Sequence, residues 1–309
     1  MSYTHLTINE RNKIEVLLKE NYSVTNIAKI LGYHRSTIYR EINRLNVKYS
    51  AHAADKISKE NSKRKGRKTK FSPYLKELIE DRLKKTWSPE QIVGRELKGI
   101  LTFKTIYNWF NKKLLENIKN PLIKNRKIKK QEETRGKFNI GESIKNREGD
   151  INLRKEIGHW EIDTVVSARG KSKGCLATFA ERKSRFYVAL KMKDRSSKSM
   201  LEAIEKLTKN LPANIFKTMT SDRGKEFSCF KEVEELGIKF YFADAYNAGQ
   251  RGTNENSNGL LRRFYPKKTD LSKIKESELK EVLYLLNSRP RKCLNYATPF
   301  EIILQEIKF

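Results

Sequence analysis

The spacing of apolar residues changes period near residue 155, and this change divides the chain into two kinds of fold. Before it, apolar residues recur at helical spacing. Beyond it, short runs rich in β-branched and aromatic residues alternate with helical stretches. Strands are predicted over 159–166, 174–180, 185–191, 215–221 and 238–242. Helices are predicted over 197–209, 225–236, 252–264 and 276–288. The first three strands follow one another closely, which suits an antiparallel meander. The later ones are separated by helices and suit parallel crossovers. Residues 153–309 are therefore expected to form a mixed five-stranded sheet with helices on its faces.

That order of elements is the RNase H-like one, and it sets the strand of Asp163 beside the strand that ends at Asp222. A carboxylate inside a run such as Trp160-Glu161-Ile162-Asp163-Thr164-Val165-Val166 is out of place. Buried, it must be paired, hydrated or bound to a cation. Asp222 is followed by Arg223-Gly224, which ends its strand, and Glu255 lies near the start of the helix over 252–264. Three carboxylates so placed can meet at one end of a sheet. Oxygen-only ligands suit magnesium or manganese, and two such ions side by side serve in-line attack on a phosphodiester. Other acids compete. Glu161 shares a strand face with Asp163. Glu226 stands just past Asp222, where a first-turn acid favouring a helix N-terminus is the better reading. Asp244 suits a metal or a loop cap equally.

The helical half begins with a unit over 1–48. Thr7 and Glu10 have capping-box spacing ahead of Ile14, Leu17 and Leu18. A short helix from Val24 to Leu31 is capped by Ser23 and closed by Gly32, and a polar helix over 35–44 turns Ile38 and Ile42 inward. This is a helix-turn-helix, whose last helix enters the major groove. His34, Arg35, Ser36, Thr37 and Arg40 are the expected DNA contacts. Residues 49–71 read as a basic linker, extended or disordered without DNA. Residues 72–115 repeat the plan: two Ser-Pro helix starts, then Lys104-Thr105-Ile106-Tyr107 echoing Ser36-Thr37-Ile38-Tyr39. Lys104 and Thr105 are the matching contacts. A basic connector over 116–152 follows. Trp87, Trp109 and Trp160 read as core.

Charge supports a polyanionic partner. The 309 residues carry a net charge of +29, with basic residues in excess in both halves. A membrane surface would need an amphipathic anchor or a lipidation motif, and neither is visible. No apolar run approaches a membrane span and the N-terminus lacks a secretory pattern. Cys175, Cys229 and Cys293 have no zinc-type spacing and read as small buried residues in a reducing compartment.

Several stretches resemble the transposases of the insertion sequence thirty family, bacterial enzymes of the DDE class. They are Gly158 to Asp163, Glu181 to Phe186, Thr220 to Phe227, Tyr241 to Tyr246, Gln250 to Leu260 and Leu286 to Pro299. The likeness runs over nearly the whole chain. It implies an integrase-type catalytic core in which Asp163, Asp222 and Glu255 bind two magnesium or manganese ions. Asp163 would bridge the ions, with Asp222 completing one site and Glu255 the other. Family members often carry Asn at the position of Arg223 and Pro at that of Ala245. Arg223 could instead meet a DNA phosphate. The expected reaction releases a 3′-hydroxyl at the element end, which then attacks a target phosphodiester. Arg262 and Arg263, on the catalytic helix, would hold substrate phosphates. A homodimer or larger assembly on double-stranded DNA, working in the bacterial cytoplasm, follows from the same likeness. A helix-turn-helix repressor with an inactive nuclease fold, and a nuclease that cuts without joining, are the other readings.

Overall fold

The computed structural model describes residues 5–64, 69–116, 141–167, 172–244 and 248–307, in two compact units divided after Lys70. In the first unit, α1 (Ile8–Lys19), α2 (Val24–Leu31) and α3 (Arg35–Ile42) close around Ile14, Ile27, Ala28 and Ile38. The caps are those legible in the sequence. Thr7 and Glu10 form a reciprocal capping box, Ser23 accepts from the Asn26 amide, and Gly32 takes the left-handed conformation at φ 71°.

The basic stretch expected to be extended instead forms α4 (Ala51–Arg64). Few large apolar residues were needed. Ala51 and Ala54 are fully buried, α4 packs on α1, and the Ala51 amide donates to Glu15 at 2.7 Å. Arg11 of α1, itself buried, joins α4 by donating to Asp55 at 3.0 Å and α3 by donating to Glu41 at 2.7 Å. Once the first turn is fixed, helix propagates readily through residues such as Lys, Glu and Ala. Residues 65–68 of the basic run lie outside the described residues.

The second unit opens with α5 (Pro73–Lys84), α6 (Pro89–Glu96) and α7 (Phe103–Asn111), packed around Ile79, Leu83, Ile92, Ile106 and Trp109. Ser72 and Ser88 cap the two Pro-initiated helices. The sheet follows: β1 (Glu142–Ser143), β2 (His159–Val166), β3 (Cys175–Glu181), β4 (Tyr187–Met192), β5 (Thr218–Ser221) and β6 (Lys239–Phe242). The helices between and after the strands are α8 (Ser197–Asn210), α9 (Phe230–Glu235), α10 (Gly252–Phe264), α11 (Glu276–Asn287) and α12 (Pro299–Glu306).

Six strands, not five, make the sheet, in the order β1-β6-β5-β2-β3-β4. The extra edge strand comes from the stretch expected to be a connector, whose residues 117–140 lie outside the described ones. The meander β2-β3-β4 is antiparallel, and β2 runs parallel to β5, as the spacing implied. Two predicted elements are shorter than expected. Ala213–Ile215 is a 3-10 turn ahead of β5, tied down where Trp160 Nε1 donates to the Ile215 carbonyl at 2.7 Å. The helix expected over 225–236 begins as a separate 3-10 turn that points Glu226 and Phe227 inward.

One face of the sheet, with Trp160, Ile162, Phe179 and Phe240, packs on α8 and α9. The other, with Val165, Leu176, Ala180 and Tyr187, packs on α10 and α11. Trp160 and Trp109 are buried and Trp87 packs beside the latter's cluster. Cys175 and Cys229 are buried, but Cys293 is exposed on a 3-10 turn, where a small apolar side chain has no core to enter.

The helix α6 is fixed to the chain's last loop. Gln91 donates to the Pro290 carbonyl and accepts from Arg289, both at 2.7 Å. Glu90 pairs with Lys292, Arg95 with Glu301, and Gly94 lies so close to the Tyr296 ring that a Cβ there would clash. Among the described residues, no helix is long and apolar enough to cross a membrane.

Candidate active site

The alternation of β2 turns Glu161 and Asp163 to the face that carries α10. Their roles then diverge. Glu161 is fully buried, and its carboxylate accepts from the Thr253 and Asn254 amides at 2.8 and 2.9 Å. It thus satisfies the orphan donors at the start of α10 and complements the positive end of the helix. Asn254 completes the joint by donating to the carbonyls of Glu161 and Thr178, at 2.7 and 3.1 Å. The strand that bears the first acid therefore holds the helix that bears the third. Arg182 lies 3.5 Å from the other Glu161 oxygen.

Asp163 remains partly open to solvent. Its carboxylate accepts from the Thr164 amide at 2.8 Å and from Asn258 Nδ2 on α10 at 3.1 Å. Burial pushes its pKa up; Arg251 opposes the shift and the nearby Asp222 charge adds to it. Asp222 follows the last residue of β5 and accepts from the Gly224 amide at 3.0 Å. One guanidinium, that of Arg251, stands between the two acids, 3.5 Å from Asp163 and 3.2 Å from Asp222. The two carboxylates thus converge on a point that accommodates a cation. Glu255 stands one helical turn beyond Arg251, exposed on α10. Among the described residues, no three acids, histidines or cysteines lie close enough together to hold a metal.

Glu226 is buried beside Asp222. Its Oε1 accepts from Thr164 Oγ1 at 2.9 Å and from Arg195 Nε at 2.7 Å. A Cβ placed on Gly224 would meet Glu226 Oε2 at 2.6 Å and Asp222 Oδ1 at 3.0 Å, so only a glycine leaves room for both carboxylates. Asp244 closes its own loop by accepting from Gln250 Nε2 at 3.1 Å. Arg262 is anchored by the Val166 carbonyl at 2.7 Å, and Arg263 is exposed on the next position. Arg223 lies over the Phe242 ring, 5.9 Å from its centre.

The expected DNA contacts lie on the open faces of their helices. His34 caps α3, accepting from the Ser36 amide at 3.3 Å, while Arg35 and Arg40 are exposed and Ser36 and Thr37 half-buried. On α7, Lys104 is exposed and Thr105 is half-buried. Ile38 and Ile106, the equivalent residues of the repeated Thr-Ile-Tyr signature, are both buried. Sequence reasoning placed Asn258 on the helix face of Glu255, three residues on, but missed Arg251. The signal for Arg251 was the same helical register, four residues before Glu255.

Residues 2–45 match the model of a helix-turn-helix domain, and residues 154–248 that of the integrase core domain. The transposase InsI of insertion sequence element IS30C from Escherichia coli K12 is 34% identical over 97% of this chain and 83% of its own length. The transposase of insertion sequence element IS4351 from Bacteroides fragilis is 34% identical, covering 98% and 96%. This chain belongs to the IS30 family of transposases. A putative integrase of Spiroplasma virus SpV1-R8A2 B is 30% identical over 99% of the chain and all of its own length. Among solved structures, the catalytic core of BIV integrase superposes with a TM-score of 0.37 at 20% identity, covering 49% of this chain and 96% of that one. The transposase therefore joins an N-terminal DNA-binding unit to a DNA-cutting and strand-transferring core.

Proposed function

We propose that Asp163, Asp222 and Glu255 are the catalytic and metal-binding acids of this transposase, and that it uses magnesium or manganese, two ions at a time. The observation that carries this reading is the convergence of Asp163 and Asp222 on a single cation, Arg251. Glu255 follows on the same helix, which Glu161 and Asn254 hold against β2 and β3. When bound, the ions supply Lewis-acid activation of the attacking oxygen and stabilise charge on the phosphodiester. The protein's own part is to hold the acids oriented. Asn258 fixes one Asp163 oxygen and the Gly224 amide fixes Asp222. Arg251 must withdraw to free both. A 3′-hydroxyl released at the element end then attacks the target strand, without a covalent protein intermediate.

His34, Arg35, Ser36, Thr37 and Arg40 read the terminal repeat from α3, Lys104 and Thr105 extend the contact from α7, and Arg262 and Arg263 hold phosphates near the acids. Joining two ends calls for at least two copies of the chain on DNA. The test is cleavage and strand transfer on a duplex carrying the element's own ends, comparing wild type, Asp163→Asn and Glu255→Gln with magnesium and with chelator. Metal-dependent joining lost in both variants, with DNA binding intact, supports the assignment. Specific binding without cutting under any metal leaves a repressor with an inactive core.

A further inference from the structure

On the flank of α10 turned away from Asp163, the structure contains a cavity of about 360 Å³. It is lined by Arg154, Arg185 and Arg291, with Thr253 and Asn256 from the first turns of α10 and the exposed Cys293. No carboxylate lines it among the described residues. Arg291 is 9% exposed; its Nη2 donates to the Leu286 carbonyl at 3.1 Å, and its Nε has no partner. Arg185 donates to Thr253 Oγ1 at 2.9 Å, and its Nε is likewise buried without a partner. Burial and the neighbouring guanidinium groups lower the pKa of Arg154, and that of Arg291 to about 10, which still leaves both cationic at neutral pH. Arg154 and Arg185 also hold left-handed backbone, at φ 55° and 62°, a conformation uncommon outside glycine.

Three guanidinium groups around one cavity repel one another, and buried donors without acceptors cost free energy. An anion with several oxygens relieves both, and the geometry of Arg suits phosphate above other cations.

We propose that the Arg154–Arg185–Arg291 cavity is a subsite for a backbone phosphodiester of the DNA strand being cut, one that flanks the scissile phosphate. This rests on the catalytic reading of Glu255. An α-helix with its side chains is about 10–12 Å across, so the cavity and the acids lie on opposite flanks of one helix. The crest between them carries the exposed residues Glu255 and Gly259, and nothing lies within 4 Å of a Cβ added at Gly259. A strand can cross there, with one phosphate at the acids and another, a few nucleotides along, among the arginines.

Cys293 supplies the test, because it is exposed while Cys175 and Cys229 are buried. The full-length protein is treated with iodoacetamide in chelator, so that DNA binds without being cut, and alkylation is read by peptide mass spectrometry. Duplex carrying the element end, at about ten times its Kd, should slow Cys293 alkylation about tenfold. A neutral methylphosphonate at one phosphate a few nucleotides from the cut should abolish that protection, whereas the same change elsewhere should not. Arg154→Asn, chosen because Asn accepts the left-handed backbone, should become insensitive to the methylphosphonate. It should also lower the salt slope of binding by about 0.7–0.9. Arg291→Lys, which keeps the charge, should retain most of the protection, and melting curves check that both variants fold. Protection that survives every neutral linkage, unchanged alkylation on bound DNA, or equal protection by inorganic phosphate alone would overturn the proposal. If the cavity is protected but no metal supports cutting, the catalytic reading fails and the phosphate subsite stands.

Discussion

Replacing Glu161 by Gln separates the architecture of the site from its chemistry. The carboxylate accepts two α10 amides from full burial, with Arg182 at 3.5 Å on its other oxygen. An amide keeps one acceptor oxygen. Hydrogen bonds to a charged group are worth about 1.5–3 kcal/mol against about 0.5–1.5 for neutral ones, so the exchange costs about 1 kcal/mol per bond. The new NH₂ group also faces the donors of Arg182, which is 5% exposed and loses its counter-charge. That adds about 1–2 kcal/mol, a fraction of the penalty for breaking a fully formed buried pair. The total is about 3–4 kcal/mol. With a urea m-value of about 3 kcal/mol/M, the unfolding midpoint of the catalytic unit should fall by about 1 M, with the slope unchanged. Glu255→Gln is the control. Exposed on the same helix, it should move stability by no more than about 0.5 kcal/mol while abolishing strand transfer. The assay is urea unfolding by tryptophan fluorescence, since Trp160 lies next to Glu161 on β2. A midpoint within 0.2 M, taken as roughly the precision of such curves, would refute the idea that Glu161 holds α10 in place.

The first unit offers a parallel case: Glu41→Ala leaves buried Arg11 with Asp55 and the Leu6 carbonyl, and should cost about 3 kcal/mol and weaken binding to end DNA in a gel-shift assay. His159 is buried, and desolvation lowers its pKa below the ordinary 6.5. Because the unfolded chain binds the proton more readily, its contribution is fully present above pH 6.5 and is lost as pH falls toward the folded pKa. Melting temperature should drop as pH falls below about 6.5, and His159→Asn should flatten that drop. Gly94→Val should displace the Tyr296 ring and cost about 1–3 kcal/mol, read as a lower melting temperature. Chelator should stop cutting and joining while leaving gel shifts on end DNA intact.

What the sequence revealed and what it hid divide along the range of the interactions. The strand His159–Val166 and the helices Val24–Leu31 and Gly252–Phe264 were readable to the residue, because periodicity and caps are local signals. The neighbouring of β2 and β5, and hence of Asp163 and Asp222, followed from crossover rules. α4 was hidden because its contact with α1 rests on two alanines and on a charged pair with Arg11, a residue far back in the chain. β1 was hidden because its two residues gain strand geometry only by lying along β6. The arginines around the α10 cavity come from three separate segments, so no spacing rule unites them. Glu161 was seen as a rival metal ligand, since sequence alone cannot distinguish a carboxylate that caps a helix from one that faces an ion.

The guanidinium of Arg251 between Asp163 and Asp222 has a bearing on how the chain tolerates two neighbouring acids. Two carboxylates facing each other would ordinarily push apart or take up a proton. Here a counter-charge built into the chain stands between them. The chain can therefore close this end of the sheet on its own charges. On the reading proposed above, an arriving ion would displace a single side chain and leave the rest of the sheet as it is.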